Sequence, residues 1–345
     1  MKTLNIVTLE PIEKRYTKQW YNYFKVAFKK HFDKVKYIDG QIGDDKIKKG
    51  RFLDINKTNK WKAEQVIVMS KMFDQGSVSD EDVFLFLDGW HFGITALKYM
   101  SQLNKVNIKI YAYWHAGTWD THDFITQAGL RPWAKYNELG WFRACDGHFV
   151  ATEFHKELIC KYFKQGIKHN KIHVVGFPMD WKKEMRKEIG NIDYNINDKE
   201  NLIVFPHRTD PEKCPEMFAY LKKLLPEYEF VVTMDVTKNK KEYYELIKKA
   251  KIVFSANKQE TFGIGTVEAL ILGAIPLVPN KLSYMELYNG LFKYGNIRSA
   301  HQKIPYMIKH YNDKHIQDTI KKNQKKIIKS SKESVEMMST IMLND

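Results

Sequence analysis

The chain has 345 residues, 43% of them hydrophobic and 14% aromatic, which excludes a disordered polyelectrolyte and suits about two globular domains. Its 56 Lys and Arg against 41 Asp and Glu leave a net charge of +15, which favours polyanionic partners: nucleic acid, an anionic membrane face or nucleotide phosphates. No apolar run approaches the ~18 residues of a membrane span, and MKTLNIVTLE turns polar too soon for a secretory signal. Cys145, Cys160 and Cys214 share no metal-ligand spacing, and their odd number argues against a disulfide framework. A cytoplasmic protein without stable membrane insertion is expected.

Short apolar runs alternate with amphipathic stretches, the pattern of parallel α/β units. In chain order the expected elements are strand Leu4–Leu9, helix Thr17–Lys30, strand Val35–Ile38, helix Lys60–Phe73, and strands Val83–Leu87, Ile108–Trp114 and Gly147–Ala151. Helix Glu153–Phe163 and strand Ile172–Val175 complete the first set. The charged stretch from Asp180 to Glu200 reads as a linker. Beyond it come strand Leu202–Phe205, helix Pro215–Leu225, strand Glu229–Met234, helix Lys240–Lys249, strand Ile252–Ser255, helix Thr266–Leu272 and strand Ile275–Val278. The expected organisation is a first domain over 1–180, a linker over 181–200, a second domain over 201–317 and a C-terminal helix or tail over 318–345. That tail either packs back on the first domain or is a loose basic extension. The fold class is α/β, two Rossmann-like doubly wound domains facing each other across a cleft, where ligands bind outside the carboxyl ends of the strands.

Residues just after strands therefore draw the chemistry. After Ile252–Ser255 the chain reads NKQETFGIGTVEAL, placing Gly263 and Gly265 where a helix begins. A helix start offers unpaired N–H groups and a positive dipole end for a phosphate, and glycine lets the backbone come close. Thr261, Phe262, Gly263, Ile264 and Gly265 are thus expected to hold an anion. Glu268, expected in the first helical turn, either complements the dipole or accepts from ligand hydroxyls, and Thr266 is a candidate cap. A carboxylate such as Glu260 beside an anion site needs hydroxyls to accept from. A dinucleotide fingerprint fits poorly, since Glu268 holds the place of the third glycine of GxGxxG. After Leu202–Phe205 come Pro206, His207, Arg208 and then Lys213, whose cations suit a phosphate group.

The pair Glu260 and Glu268, with the intervening glycines and the following strand AIPLV, resembles the E-x7-E signature of retaining glycosyltransferases with the GT-B fold. IVFPHR at 203–208 and VPNKLSY at 278–284 make residues 200–290 most similar to the tRNA-queuosine mannosyltransferase branch. The resemblance implies a UDP- or GDP-linked nucleotide-sugar donor, no cofactor and no catalytic metal. It also implies sugar contact by Glu260 and ribose contact by Glu268, with Arg208 and Lys213 stabilising the leaving group. His115, in YWHAGTWD, carries over as a donor-sugar contact, whereas the residues after it depart from that branch.

That departure opens the question of the acceptor. Asp88 and Trp90 end a strand and either face the cleft or form a turn. Trp114, Trp119, Trp133 and Trp141, with Asp120, Arg131, Lys135 and Arg143, form a basic, aromatic segment suited to an unstacked base, or else pack the core. The first-choice acceptor is a hydroxymethylated pyrimidine such as hydroxymethylcytosine in DNA, as for a bacteriophage that decorates its own genome. DNA is favoured over tRNA. The alternatives are a tRNA-queuosine glycosyltransferase, a cell-surface polysaccharide or lipid glycosyltransferase, and a nucleic-acid-binding protein on a decayed GT-B scaffold.

Overall fold

In a computed structural model describing residues 2–12, 15–41 and 54–344, the chain divides into two compact units, 1–179 with 333–345, and 180–332. The first runs through β1 (Thr3–Val7), α1 (Tyr16–Ala27), β2 (Lys34–Ile38), α2 (Ile55–Asp74), β3 (Val83–Phe86) and α3 (Gly93–Leu103). It continues through β4 (Lys109–Tyr113), the short α4 (Phe124–Gln127), α5 (Arg131–Ala144), β5 (Gly147–Val150), α6 (Glu153–Tyr162) and β6 (Ile172–Val174). The second unit comprises α7 (Trp181–Ile189), β7 (Glu200–Phe205), α8 (Pro215–Leu224), β8 (Glu229–Val232), the short α9 (Thr233–Val236), α10 (Lys240–Lys249) and β9 (Ala250–Phe254). Then come α11 (Ile264–Ile271), β10 (Ile275–Pro279), the short α12 (Tyr284–Leu287), β11 (Lys293–Tyr294), α13 (Ile297–Lys309) and α14 (Lys314–Asn344).

Both sheets are parallel, ordered β2-β1-β3-β4-β5-β6 and β11-β10-β9-β7-β8. Runs such as VFLF in β3 and IPLVP in β10 are buried throughout, as strands covered by helices on both faces must be. Local signals start the helices: Asp54 accepts from the Lys57 amide ahead of α2, and the Thr152 hydroxyl from the His155 amide ahead of α6. The strand order reverses between β1 and β3 in the first sheet and between β7 and β9 in the second. In open α/β sheets such switch points are where ligands bind.

The stretch read as a linker contains α7. Its lysines, Arg186 and Glu188 face outward while Trp181, Glu184 and Met185 are buried, and the Trp181 indole donates to Ser331 Oγ at 2.8 Å. The tail is the last part of α14. Val335, Met338 and Met342 are buried, the Ser334 hydroxyl donates to the Val175 carbonyl, and Lys2 Nζ donates to the Leu343 carbonyl at 2.9 Å, so it packs in the first unit. Helices α3, α5 and α13 and strand β11 lay outside the sequence-based expectation.

Trp114 and Trp119 are core residues and not acceptor contacts, with 1% and 5% of their surface exposed. Trp114 stacks on Phe142 at 4.2 Å and donates to His148 Nδ1 at 3.2 Å, while Trp119 donates to His155 Nε2 at 3.2 Å. Both imidazoles must therefore be neutral. Burial first of all holds each of them near a pKa of about 3. Between that value and the unfolded ~6.5 the unfolded chain binds more protons, so stability falls as pH drops through this window. Each histidine should contribute a slope of up to about 1.4 kcal/mol per pH unit. Denaturant midpoints followed by tryptophan fluorescence should decline from pH 6.5 downward, and His148→Gln should flatten the decline; an unchanged slope would contradict the assignment.

Candidate functional site

At the β7/β9 switch point two loops leave adjacent strand ends, Pro206–Lys213 and Ser255–Gly263. They are tied together by the Lys258 amide donating to the Glu212 carbonyl at 2.8 Å. Lys213 Nζ donates to the Gln259 carbonyl at 3.1 Å and lies 3.5 Å from Glu260 Oε2. Asn257 Nδ2 donates to the same Glu260 oxygen at 3.1 Å and to the Tyr284 hydroxyl at 3.1 Å, and that hydroxyl lies 2.9 Å from Ser255 Oγ. A chain of hydrogen bonds from the end of β9 thus fixes the direction in which Glu260 points. Burial, then the Glu260 charge, pushes the Tyr284 phenol well above its ordinary range, so its proton stays in place.

Gly263 caps α11 in the left-handed conformation (φ 89°), and a Cβ there would lie 2.8 Å from both Thr266 Oγ1 and the Tyr284 ring. The Thr266 and Val267 amides bond the Gly263 carbonyl. The Ile264 and Gly265 amides, at the first two helical positions, precede any intrahelical acceptor and carry the positive end of the dipole. Gly265 passes close to Pro206 and the Tyr243 hydroxyl, each 3.3 Å from where its Cβ would stand. Thr266 does not cap: its hydroxyl donates back to the Gly263 carbonyl. The Phe262 side chain is buried, stacked nearly parallel on Trp181 at 6.2 Å, so only its main chain borders the loop, as does half-buried Thr261.

One sequence expectation needs correction. Glu268 lies past the first turn of α11 and is 1% exposed, so it does not complement the dipole from the surface. Its carboxylate accepts from Lys240 Nζ at 2.6 Å, Tyr243 at 3.0 Å and Tyr244 at 2.7 Å, leaving a single lone-pair direction for any ligand. Arg208, expected as a fixed cation, forms ion pairs with Asp210 and, at 3.4 Å, with Glu212. The preceding residue, His207, is 8% exposed. Burial, then Lys213 and Arg208, drive its pKa well below the ordinary range, so the ring is neutral. His207 Nε2, Asn257 Oδ1 and Ser283 Oγ are buried without a hydrogen-bond partner among the described residues, the condition of groups that pair with a ligand.

At the β1/β3 switch point of the first unit, Thr8, Glu10, Thr58, Lys62, Asp88 and His91 line a cavity of ≈70 Å³. Burial alone would raise the Asp88 carboxyl, but Lys62, 2.9 Å away, together with the Trp90 amide, outweighs it and holds it low. His115 follows β4, donates from Nε2 to the Leu87 carbonyl at 2.8 Å, and is kept neutral by burial against the opposing pull of Asp88. Trp90 donates to Glu138 Oε1 at 3.0 Å, and Glu138 also takes the Thr118 amide at 2.8 Å. Asp120 is buried in a turn, accepting from the His122 amide at 2.8 Å. Arg131 donates to the Tyr162 hydroxyl at 3.2 Å and Arg143 to the Gly166 carbonyl at 2.9 Å, and of the expected acceptor group Asp88 alone is among the residues lining this cavity. Glu138 and Lys240 escaped the sequence reading, and Asn257 and Tyr284 entered it only within NKQETFGIG and VPNKLSY without a role, because a lone polar residue within a helix or loop carries no spacing signal.

No family model matches the chain. The tRNA-queuosine alpha-mannosyltransferase of Drosophila melanogaster is 24% identical over 158 residues, covering 37% of this chain and 42% of that protein, so the chain spans less than half the length of this relative. Among solved structures, the catalytic domain of starch synthase IV from Arabidopsis thaliana, bound to ADP and acarbose, superposes with a TM-score of 0.71 at 9% identity, covering 100% of this chain and 99% of that one. The chain has the GT-B fold. Sucrose-phosphate synthase from Thermosynechococcus elongatus (TM-score 0.67, 10% identity, 100% and 99% covered) is similar in the same way. So is the lipopolysaccharide outer core galactosyltransferase WaaB (0.61, 13%, 98% and 100%). Among the described residues no helix is long and apolar enough to cross a membrane, and no group of three or more His, Cys, Asp or Glu could hold a metal ion.

Glu268→Ala should leave Lys240 and two tyrosine hydroxyls without an acceptor in a buried setting, costing about 3–5 kcal/mol. Chemical denaturation measures this, and Glu268→Gln should recover part of the loss by keeping an acceptor oxygen. Wild-type stability in the alanine variant would contradict the structural role.

Proposed function

We propose that the protein is a retaining glycosyltransferase that moves a sugar from a UDP- or GDP-linked donor to a hydroxyl on a nucleic-acid base, with a hydroxymethylated pyrimidine in DNA as first choice. The observation that carries the donor half is the glycine-capped start of α11 beside Glu260 and Lys213 at the β7/β9 switch point. The diphosphate sits on the Ile264 and Gly265 amides, within reach of Lys213. Arg208 turns to it from Asp210 and Glu212, exchanging one anionic partner for another. Glu260 accepts from sugar hydroxyls. Glu268 takes a ribose hydroxyl on its remaining lone pair.

In the transfer step the acceptor oxygen bonds to the anomeric carbon on the face from which the diphosphate departs. The carbon–oxygen bond to the diphosphate breaks with its electron pair going to the phosphate oxygen, which receives the hydroxyl proton. The configuration is retained and no protein nucleophile is used. Cations and amides at the departing oxygens act where charge develops. The acceptor half is supported by the +15 charge and by the relative whose substrate is a tRNA. That relative also favours the second reading, a tRNA-queuosine glycosyltransferase.

Radiolabelled UDP- and GDP-sugars offered with hydroxymethylated DNA, unmodified DNA and queuosine-containing tRNA test both readings. Label is expected in hydroxymethylated DNA alone. Label in tRNA alone would transfer the assignment to the second reading, and label in none of them would refute a nucleic-acid acceptor. Transfer should also persist in excess EDTA; complete loss restored by Mg²⁺ or Mn²⁺ would contradict the fixed-cation mechanism.

A further inference from the structure

Helices α3 and α5 meet where Gly140 lies beside Thr95, whose Cγ2 would stand 3.9 Å from a Cβ at position 140. Either side of that contact the two helices present large aromatic side chains to solvent. Phe92, at the cap of α3, is 42% exposed and Tyr99 65%; on α5 Trp133 is 51% and Tyr136 65% exposed. The positions 92, 95 and 99 follow helical spacing along one face of α3, as 133, 136 and 140 do along α5. Buried aromatics explain themselves by packing; these four do not.

The exposed charges that these two helices carry have one sign. Helix α3 contains Lys98 and no acidic residue, and α5 contains Arg131, Lys135 and Arg143 with one acid, Glu138, which is fully buried under Trp90 and Thr118. Lys135 lies 4.8 Å from the Tyr136 ring centre, so cation and ring are offered together. Exposed Thr95, Gln102 and Asn137 stand among the rings and supply hydrogen-bonding groups.

We infer that the α3/α5 face is a docking surface for single-stranded or locally unstacked nucleic acid. Bases stack on Trp133, Tyr136 and Tyr99, and Lys135 and Arg143 meet the phosphates. A bilayer would use the same aromatics and cations, but pressing Gln102 and Asn137 against acyl chains strips their hydration without giving them partners. Base and sugar edges give them partners. The inference rests on the nucleic-acid reading above and adds where on the chain the polymer is held.

The test measures anisotropy of a fluorescein-labelled single-stranded oligonucleotide with wild type, Trp133→Ala/Tyr136→Ala and Arg143→Ala, and co-sedimentation with phosphatidylserine-containing vesicles. Stacking contributes about 1–3 kcal/mol per base, so the double aromatic variant should bind at least about tenfold more weakly. Arg143→Ala should reduce the slope of log K against log salt by about 0.7. Binding of nucleoside diphosphate should be unchanged in all variants. Wild-type oligonucleotide affinity in the double variant would overturn this surface while leaving a nucleic-acid acceptor standing. Failure of the wild type to bind the oligonucleotide would overturn both, and vesicle binding lost in the same variants would assign the face to lipid instead.

Discussion

Gly263 turns the chain through a left-handed conformation between two anchored pieces, and the second unit's site is built around that turn. On one side Glu260 is held by Asn257, Lys213 and the chain through Tyr284 to Ser255. On the other, α11 is pinned from below by Glu268 and its three donors on α10. A side chain at position 263 would collide with Tyr284, the residue that orients Asn257. The same glycine therefore directs two helix amides outward and keeps the acid beside them in register.

Electrostatics divide the two glutamates by environment. Glu260 remains partly accessible and shares its lysine with a backbone carbonyl, so it has lone pairs to offer a polyol. Glu268 is enclosed, and its charge is matched by Lys240 within the protein. Arg208 is poised differently again. Its two carboxylate partners keep the loop near neutrality.

Much of the architecture was legible because parallel strands covered on both faces must be written as short apolar runs, and VFLF, IYAY and IPLVP are such runs. Gly263 and Gly265 were legible for a related reason, since a strand followed by glycines and an apolar helix leaves few local structures. The stretch 181–189 misled because a short surface helix buries only one stripe, here Trp181, Glu184 and Met185, among otherwise exposed charges. Tryptophans 114 and 119 misled because composition does not say which way an indole points. Their partners His148 and His155 lie more than thirty residues on, at 34 and 36 positions' separation. Burial of Glu268 was equally hidden, since its donors Lys240, Tyr243 and Tyr244 are brought to it only by the packing of α10.

The central claim is that the glycine-capped start of α11 holds the diphosphate while Glu260 holds the sugar. Calorimetric titration of wild type and Glu260→Gln with a nucleoside diphosphate, and with the corresponding nucleotide-sugar, separates the two contacts most directly. The account predicts that the substitution leaves nucleoside diphosphate affinity unchanged and weakens only the sugar-bearing ligand. Equal losses for both ligands, or none for either, would contradict it.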